Sequence, residues 1–338
     1  MARAHGELDG KVMHQIVLEQ PGHFAQRDAP PPTPGAHEAL VRIRRVGVCG
    51  TDYHAFEGHQ PFFTYPRILG HELSGEVAGV PEHSRGLHPG DRVAVEPYLN
   101  CGECRACRAG KRNCCERLRV LGVHTDGGMQ ALLAVPVDHL HKSERLTLDQ
   151  LALVEPLSIG AHAVVRSGLR KGEAVLVIGA GPIGLAVTQF AVAAGGRVRV
   201  LEIKPVRREF AARFGVEVLE RADDQLADVV FDATGNAKSM QQSLSRVAHG
   251  GRLVFVGLVQ SKVAIDDPLF HRREITLLAS RNSLNDFPGI IRMIEQGRLN
   301  TAPWITHRLS LAEVPTRFST LPRETNCIKA MIEIPEGD

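Results

Sequence analysis

The run Val175-Leu176-Val177-Ile178 leads straight into Gly179-Ala180-Gly181-Pro182-Ile183-Gly184, and residues 185–194 continue as an apolar helical stretch. A GxGxxG spacing is informative only in a strand-turn-helix context, and this one has both flanks. The first glycine permits the tight turn, the second lets the backbone approach a pyrophosphate, and the third allows close helix packing. The helix N-terminus then offers free amides and a partial positive charge to the phosphates. Glu202 ends the next apolar run, eighteen residues after Gly184, where a carboxylate accepts from both ribose hydroxyls of NAD and repels a 2′-phosphate. NAD is therefore favoured over NADP, with Lys204, Arg207 and Arg208 as the residues that speak for the phosphorylated cofactor. The candidate cofactor contacts are Gly179, Gly181, Pro182, Ile183, Gly184 and Glu202, together with Thr234, Val256 and Gly257 at the ends of later runs.

Around this motif, residues 174–178, 198–201, 229–231, 252–256 and 275–279 are short apolar runs, with three helical patterns between the first four. That alternation is the signature of a doubly wound parallel sheet. The chain has 338 residues, more than one core usually organises, and its texture before residue 150 is different. There, short β-type runs (39–46, 74–80, 91–95 and 129–135) are separated by Gly, Pro and Asp clusters, which predicts a β-rich domain. Residues 151–168 carry apolar positions at helical spacing and end on glycine, as a helix joining two domains does. The expected organisation is a disordered leader over 1–11, a β domain over 12–155, an α/β domain over 156–280, and a tail, 281–338, that returns to the first domain.

Lys+Arg 40 nearly cancel Asp+Glu 38, so no long-range field favours nucleic acid, anionic membrane or acidic partners. The first residues lack the apolar core of a signal peptide, and no run approaches the roughly 18 apolar residues of a membrane span. The expected compartment is the cytoplasm. Five of the seven cysteines fall between residues 101 and 115, which in a reducing compartment suggests a metal before disulfides.

Cys101-x-x-Cys104-x-x-Cys107, with Cys114 and Cys115 following, offers four thiolates to one tetrahedral ion. An ion held only by sulfur has no open position, so this lobe (101–115) is read as a structural zinc site. Spacing leaves open which of the adjacent Cys114 and Cys115 is the fourth ligand. An iron–sulfur cluster is the rival reading of such a loop, but hydride transfer needs no one-electron relay. A second constellation is scattered: Cys49-Gly50-Thr51-Asp52-Tyr53-His54, then Gly70-His71-Glu72, then Glu155-Pro156. Taken singly, each is an ordinary core cysteine, surface pair or helix start. Together, one thiolate, one imidazole and one carboxylate make a three-ligand set that leaves a fourth position for a substrate oxygen.

These motifs occur in the order of the zinc-containing medium-chain alcohol dehydrogenase family, which the chain resembles from about residue 12 onward. The resemblance implies a GroES-like β-barrel catalytic domain, a Rossmann domain and a homodimer or homotetramer. It selects Cys115 as the fourth structural ligand. It places catalytic zinc at Cys49, His71 and Glu155, with Glu72 either moving onto the metal or holding a metal-bound water. It also implies that Thr51 takes the hydroxyl proton, that His54 passes it towards solvent, and that Asp52 holds His71 through its second ring nitrogen. A neutral alcohol holds its proton too tightly to expel hydride at pH 7 unless a Lewis acid stabilises the alkoxide, which is the task zinc performs.

Glu155, where simple alcohol dehydrogenases carry cysteine, resembles the polyol, threonine and sugar-acid branch. Residues 58–66, Asn113-Cys114-Cys115-Glu116 and Ser280-Arg281-Asn282 are similar to bacterial dehydrogenases acting on hexonates at C5. The expected substrate is thus a small polyhydroxylated molecule, with Arg281 and then Arg119 as candidates to meet its carboxylate. L-threonine and simple alcohols are the alternatives within the family. A metal-free reductase of the same fold has no use for the three-ligand set, and a catalytically silent NAD sensor would have lost it. Zinc content separates the three: about two ions per subunit, none, and one.

Overall fold

The computed structural model describes residues 12–60, 63–284 and 286–335, so the leader expected over 1–11 lies outside the described residues. The chain forms two compact units, one ending at Glu155 and resuming at Phe287, the other running from Pro156 to Asp286.

The first unit is strand-rich. Its largest sheet runs, in spatial order, through Leu140–Lys142, Arg92–Val95, Glu72–Gly79, Glu38–Gly47, Lys329–Glu333 and Ile305–Ser310, with Leu132–Pro136 also paired to Glu38–Gly47. The hairpin Met13–Gln20 and His23–Ala29, with Arg67–Ile68 beside it, forms a second sheet, and Tyr98–Leu99 pairs with Arg119–Val120 in a third. The alternating apolar positions point inward: Ile16, Leu18, Val41, Ile43, Leu73, Val93 and Val95 are all buried in one core. The tail is structural here. Its strand Lys329–Glu333 adds antiparallel to Glu38–Gly47, with Met331 opposite Gly47 and Ile332 opposite Val46. Its Phe318 is fully buried, with ring centroids 5.1 Å from both Phe24 and Tyr53. Full burial of a side chain of this size contributes about 1.5–3 kcal/mol.

The second unit is a six-stranded, all-parallel sheet in the order Glu217–Leu219, Arg197–Leu201, Ala174–Ile178, Ala227–Asp232, Val247–Phe255 and Thr276–Ala279. Val175, Val177, Val229 and Val230 are at most 1% exposed, the burial expected of interior parallel strands covered on both faces. Two expectations are corrected. A sixth strand, Glu217–Leu219, joins the five read from apolar runs; it is three residues long and opens on a glutamate, leaving only Val218 and Leu219, too short to register as a run. Residues 281–286 belong to this unit and not to the tail. Ser280 N donates to Phe255 O at 2.9 Å, which carries the parallel ladder beyond Ala279. The expected joining helix is two helices, Leu148–Ala152, capped by Thr147, and Val154–Ser167. Gly168, at φ +63°, ends the second one, a conformation that glycine adopts without the steric cost other residues meet. Among the described residues no helix is long and apolar enough to cross a membrane.

Candidate active site

The strand Glu38–Gly47 delivers Cys49 to the start of the helix Gly50–Phe56. Asp52 fixes that turn, because its Oδ2 accepts from Cys49 N at 2.8 Å. Glu72 opens the neighbouring strand, with His71 just before it, and pairs directly with Gly47. A Cβ on Gly47 would lie 2.1 Å from Glu72 Oε2, so only glycine leaves room for this carboxylate. The Cys49 thiol, a His71 ring nitrogen and a Glu72 oxygen all lie within 4.8 Å of one another. Glu155, in the first turn of Val154–Ser167, is buried nearby but stands outside that cluster. Its Oε1 accepts instead from the hydroxyl of buried Tyr98.

Charges in this pocket are organised in pairs. Lys329 Nζ, 3% exposed as a residue, donates to both Glu72 oxygens at 2.6 and 2.7 Å and to Val48 O at 3.1 Å. Burial alone would lower the lysine's pKa, but Glu72 and then Cys49 outweigh it and hold it above its ordinary value. Burial would likewise lower His71, yet Asp52 and Cys49 beside it hold the imidazole well above its usual range. Burial pushes the Glu155 carboxyl up to about 7 against the lowering influence of His71. It raises Asp52 for the same reason, His71 again opposing.

His71 Nδ1 and Asp52 Oδ1 face each other at 3.6 Å, beyond hydrogen-bond length, and both are buried without another partner. Such an orphaned pair suits a histidine whose Nδ1–H is steered by a carboxylate while its other nitrogen ligates. One sulfur, one nitrogen and one oxygen donor at this spacing fit Zn²⁺ with a position left open. Thr51 is half-buried on the same helix and His54 is exposed one turn further along.

In the cysteine lobe, Cys101, Cys104, Cys107 and Cys115 form a second such cluster, while Cys114 is exposed. Sulfur atoms of Cys101 lie 3.5 Å from Cys115 and 3.9 Å from Cys107. A tetrahedral ion with bonds of about 2.3 Å to sulfur requires edges of about 3.8 Å. Backbone amides point at the sulfurs: Cys101 N to Cys115 Sγ at 3.3 Å, Cys104 N to Cys101 Sγ and Cys107 N to Cys104 Sγ, each at 3.4 Å. Backbone donors from Glu103 and Cys104 bring the Cys101 thiol down to about 6, and those from Glu116 and Cys107 lower Cys104, whereas burial pushes the Cys107 thiol up to about 11.

In the second unit, Gly181 caps the helix Pro182–Ala193, with Pro182 at its first position and Ile183 half-buried beside it. Gly179 sits at φ +94°, and a Cβ on Gly184 would meet Gly179 O at 1.8 Å, so the motif's spacing is sterically enforced. Glu202 is buried, its Oε2 accepting from Ala180 N at 2.7 Å and its Oε1 from Lys204 N at 2.8 Å. Arg208 is committed to the carbonyls of Glu202 and Ile203, whereas the Arg207 guanidinium lies 3.6 Å from where a Gly181 Cβ would be. Thr234 is exposed, and its hydroxyl and N–H both donate to Asp232 Oδ1. Val256 and Gly257 donate from N to Asp232 O at 2.9 and 3.0 Å, so all three lie at the carboxyl edge of the sheet. Arg281 and Arg119 are both exposed, Arg281 just past the last strand and Arg119 opposite Leu99.

Tyr98 and Lys329 are absent from the motif reading. A lysine inside the apolar run 328–334 was the available signal for the second, since a charge at a buried strand position demands a partner. Nothing in the residues around Tyr98 announced the first.

The alcohol dehydrogenase GroES-like domain family matches residues 35–145, and the zinc-binding dehydrogenase family matches residues 182–296. L-galactonate-5-dehydrogenase of Escherichia coli (strain K12) is 40% identical over 91% of this chain and 94% of its own length. Among solved structures, one described as a short-chain alcohol dehydrogenase from Escherichia coli CFT073, complexed with cofactor NADH, aligns with a TM-score of 0.90 at 28% identity, over 96% of this chain and all of its own. A putative zinc-binding dehydrogenase from Sinorhizobium meliloti 1021, bound to NADP, aligns with a TM-score of 0.90 at 30% identity, over 96% and 99%. The chain belongs to the zinc-type medium-chain dehydrogenase family, with a GroES-like unit and a Rossmann unit. It is an oxidoreductase of the alcohol and polyol dehydrogenase kind.

Proposed function

We propose that this protein is a cytoplasmic, zinc-dependent, NAD-linked dehydrogenase that oxidises a secondary hydroxyl of a sugar acid, with C5 of a hexonate as the position. The observation that carries the reading is the carboxylate-rich pocket: Glu72 within the cluster of Cys49 and His71, and buried Glu155 beside it. Carboxylate oxygens are hard and accept hydrogen bonds from neighbouring substrate hydroxyls, a second handle that simple alcohols lack. The 40% identity to a dehydrogenase named for L-galactonate supports the acid over the alditol.

Cys49, His71 and Glu72, with Glu72 in place of the Glu155 that the resemblance implies, would hold the catalytic ion, and Cys101, Cys104, Cys107 and Cys115 the structural one. When bound, zinc supplies a Lewis acid for the substrate hydroxyl, and the nicotinamide supplies the hydride acceptor. The chain's own residues then move the proton. The Thr51 hydroxyl receives it, and His54, one turn further along the same helix face, releases it to water. Asp52 keeps the His71 ring oriented. Arg281 is the candidate cation for the substrate carboxylate.

An NAD⁺ reduction screen over aldonates, alditols, L-threonine and simple alcohols tests this. The aldonates are expected to give the highest kcat/KM, by about tenfold or more over the matching alditols, in line with about 1.5–3 kcal/mol for a charge-assisted hydrogen bond. A preference for L-threonine or ethanol would remove the sugar-acid reading. For the cofactor, a preference for NAD⁺ over NADP⁺ of at least about tenfold is expected, or about 1.4 kcal/mol. Glu202 is pinned against the glycine turn, where a 2′-phosphate would have to approach it. Equal kcat/KM with both cofactors would mean that Lys204 and Arg207 outweigh it. A homodimer or homotetramer belongs to the same proposal, supported by the exposed edge strand Thr276–Ala279, a template for pairing; sedimentation as a monomer would count against it.

A further inference from the structure

The pocket holds three buried carboxylates, and each has its own partner. Glu72 is gripped through both oxygens by Lys329, and Asp52 faces His71. Glu155 is held by a neutral phenol, the hydroxyl of Tyr98. Tyr98 is buried, and its backbone is fixed by pairing with Val120 and by the bond from Leu121 N to Pro97 O at 3.1 Å. The phenol is therefore a rigid donor, whereas Glu155 is a long side chain in the first turn of a helix, able to change rotamer. Two glutamates so near one ion compete for it. If Glu155 joined Cys49, His71 and Glu72, a four-coordinate ion would have no place for a substrate oxygen.

We propose that Tyr98 is a positioning residue. Its hydroxyl holds Glu155 away from the metal and thereby keeps the fourth position open to substrate. This rests on the reading of Cys49, His71 and Glu72 as the catalytic zinc ligands. It predicts that removing the hydroxyl closes the site with the protein's own carboxylate. The signature is a higher substrate KM and a metal that no longer accepts an added ligand.

The test uses cobalt(II) in place of zinc, with imidazole as the exchangeable probe and the visible spectrum as readout at one fixed pH. In the wild type the cobalt bands shift on adding imidazole. In Tyr98→Phe the shift is lost or needs at least about tenfold more imidazole, and KM rises by a similar factor. In Tyr98→Phe/Glu155→Gln the imidazole response returns, because an amide is a far poorer ligand than a carboxylate. Equal responses in wild type and Tyr98→Phe would overturn the proposal. So would a lost response that Glu155→Gln fails to restore, since the phenol would then be holding the fold and not the carboxylate. A wild-type protein with no imidazole-sensitive cobalt band would overturn the metal reading itself, and the proposal with it.

Discussion

His71→Ala or Cys49→Ser is expected to lower kcat/KM by at least about 10³-fold while NADH binding, followed by fluorescence titration, stays within about twofold of wild type. The size follows from acid strength. On suitable sites Zn²⁺ lowers the pKa of bound water from about 15.7 to about 7, which corresponds to about 12 kcal/mol of stabilised negative charge. A substrate hydroxyl that captures even a third of that gains about 10³-fold in rate. The separation of effects follows from the fold, since the metal cluster lies in the unit that ends at Glu155 and resumes at Phe287, and the glycine turn lies in the unit Pro156–Asp286. Each variant should also retain about one zinc per subunit in place of two. Activity at a tenth of wild type or more would sink the ligand assignment, and loss of NADH binding along with turnover would mean that the variants had simply unfolded.

Cys104→Ser is expected to act on stability first. The melting temperature should fall by about 10 °C or more and soluble yield with it, because opening a closed four-sulfur site removes metal binding that contributes to folding. The substitution is diagnostic because of where Cys104 sits. It is the N-cap of the short helix Arg105–Arg108 and accepts from Cys107 N. Serine is itself a preferred N-cap, so the local turn tolerates the change and the loss reports the metal. A Cys104→Ser protein that is fully folded, stable and still holds two zinc ions would contradict the lobe's structural role.

The contrast between these two sites shows what could be read along the chain. The glycine turn and most of the cysteine lobe are local objects. Gly179, Gly181 and Gly184 lie within one turn, and a Cβ at the last would strike the carbonyl of the first. Cys101, Cys104 and Cys107 recur every third residue, so one loop brings them to one ion. In such cases spacing is geometry, and the sequence determined the dinucleotide fold, the four-cysteine cluster and the general chemistry. The three-residue strand Glu217–Leu219 escaped for the converse reason, its two apolar positions being too few to form a pattern.

The pocket of Cys49, His71 and Glu72 was decided in space. Sheet register sets Glu72 opposite Gly47 and so beside Cys49, while Glu155 arrives on a helix and is met by Tyr98 from a separate strand pair. Lys329 reaches Glu72 across 257 residues of sequence because the tail adds a strand to Glu38–Gly47. Cys114 and Cys115 are chemically identical neighbours, and only the turn after residues Arg112–Cys114 aims one at the cluster and the other at water. Residue types named the chemistry, because thiolate, imidazole and carboxylate are what a zinc ion binds. Which carboxylate clusters with Cys49 and His71, and which is met by Tyr98, depends on pairings between segments far apart in the chain, and those exist only once the sheets have closed.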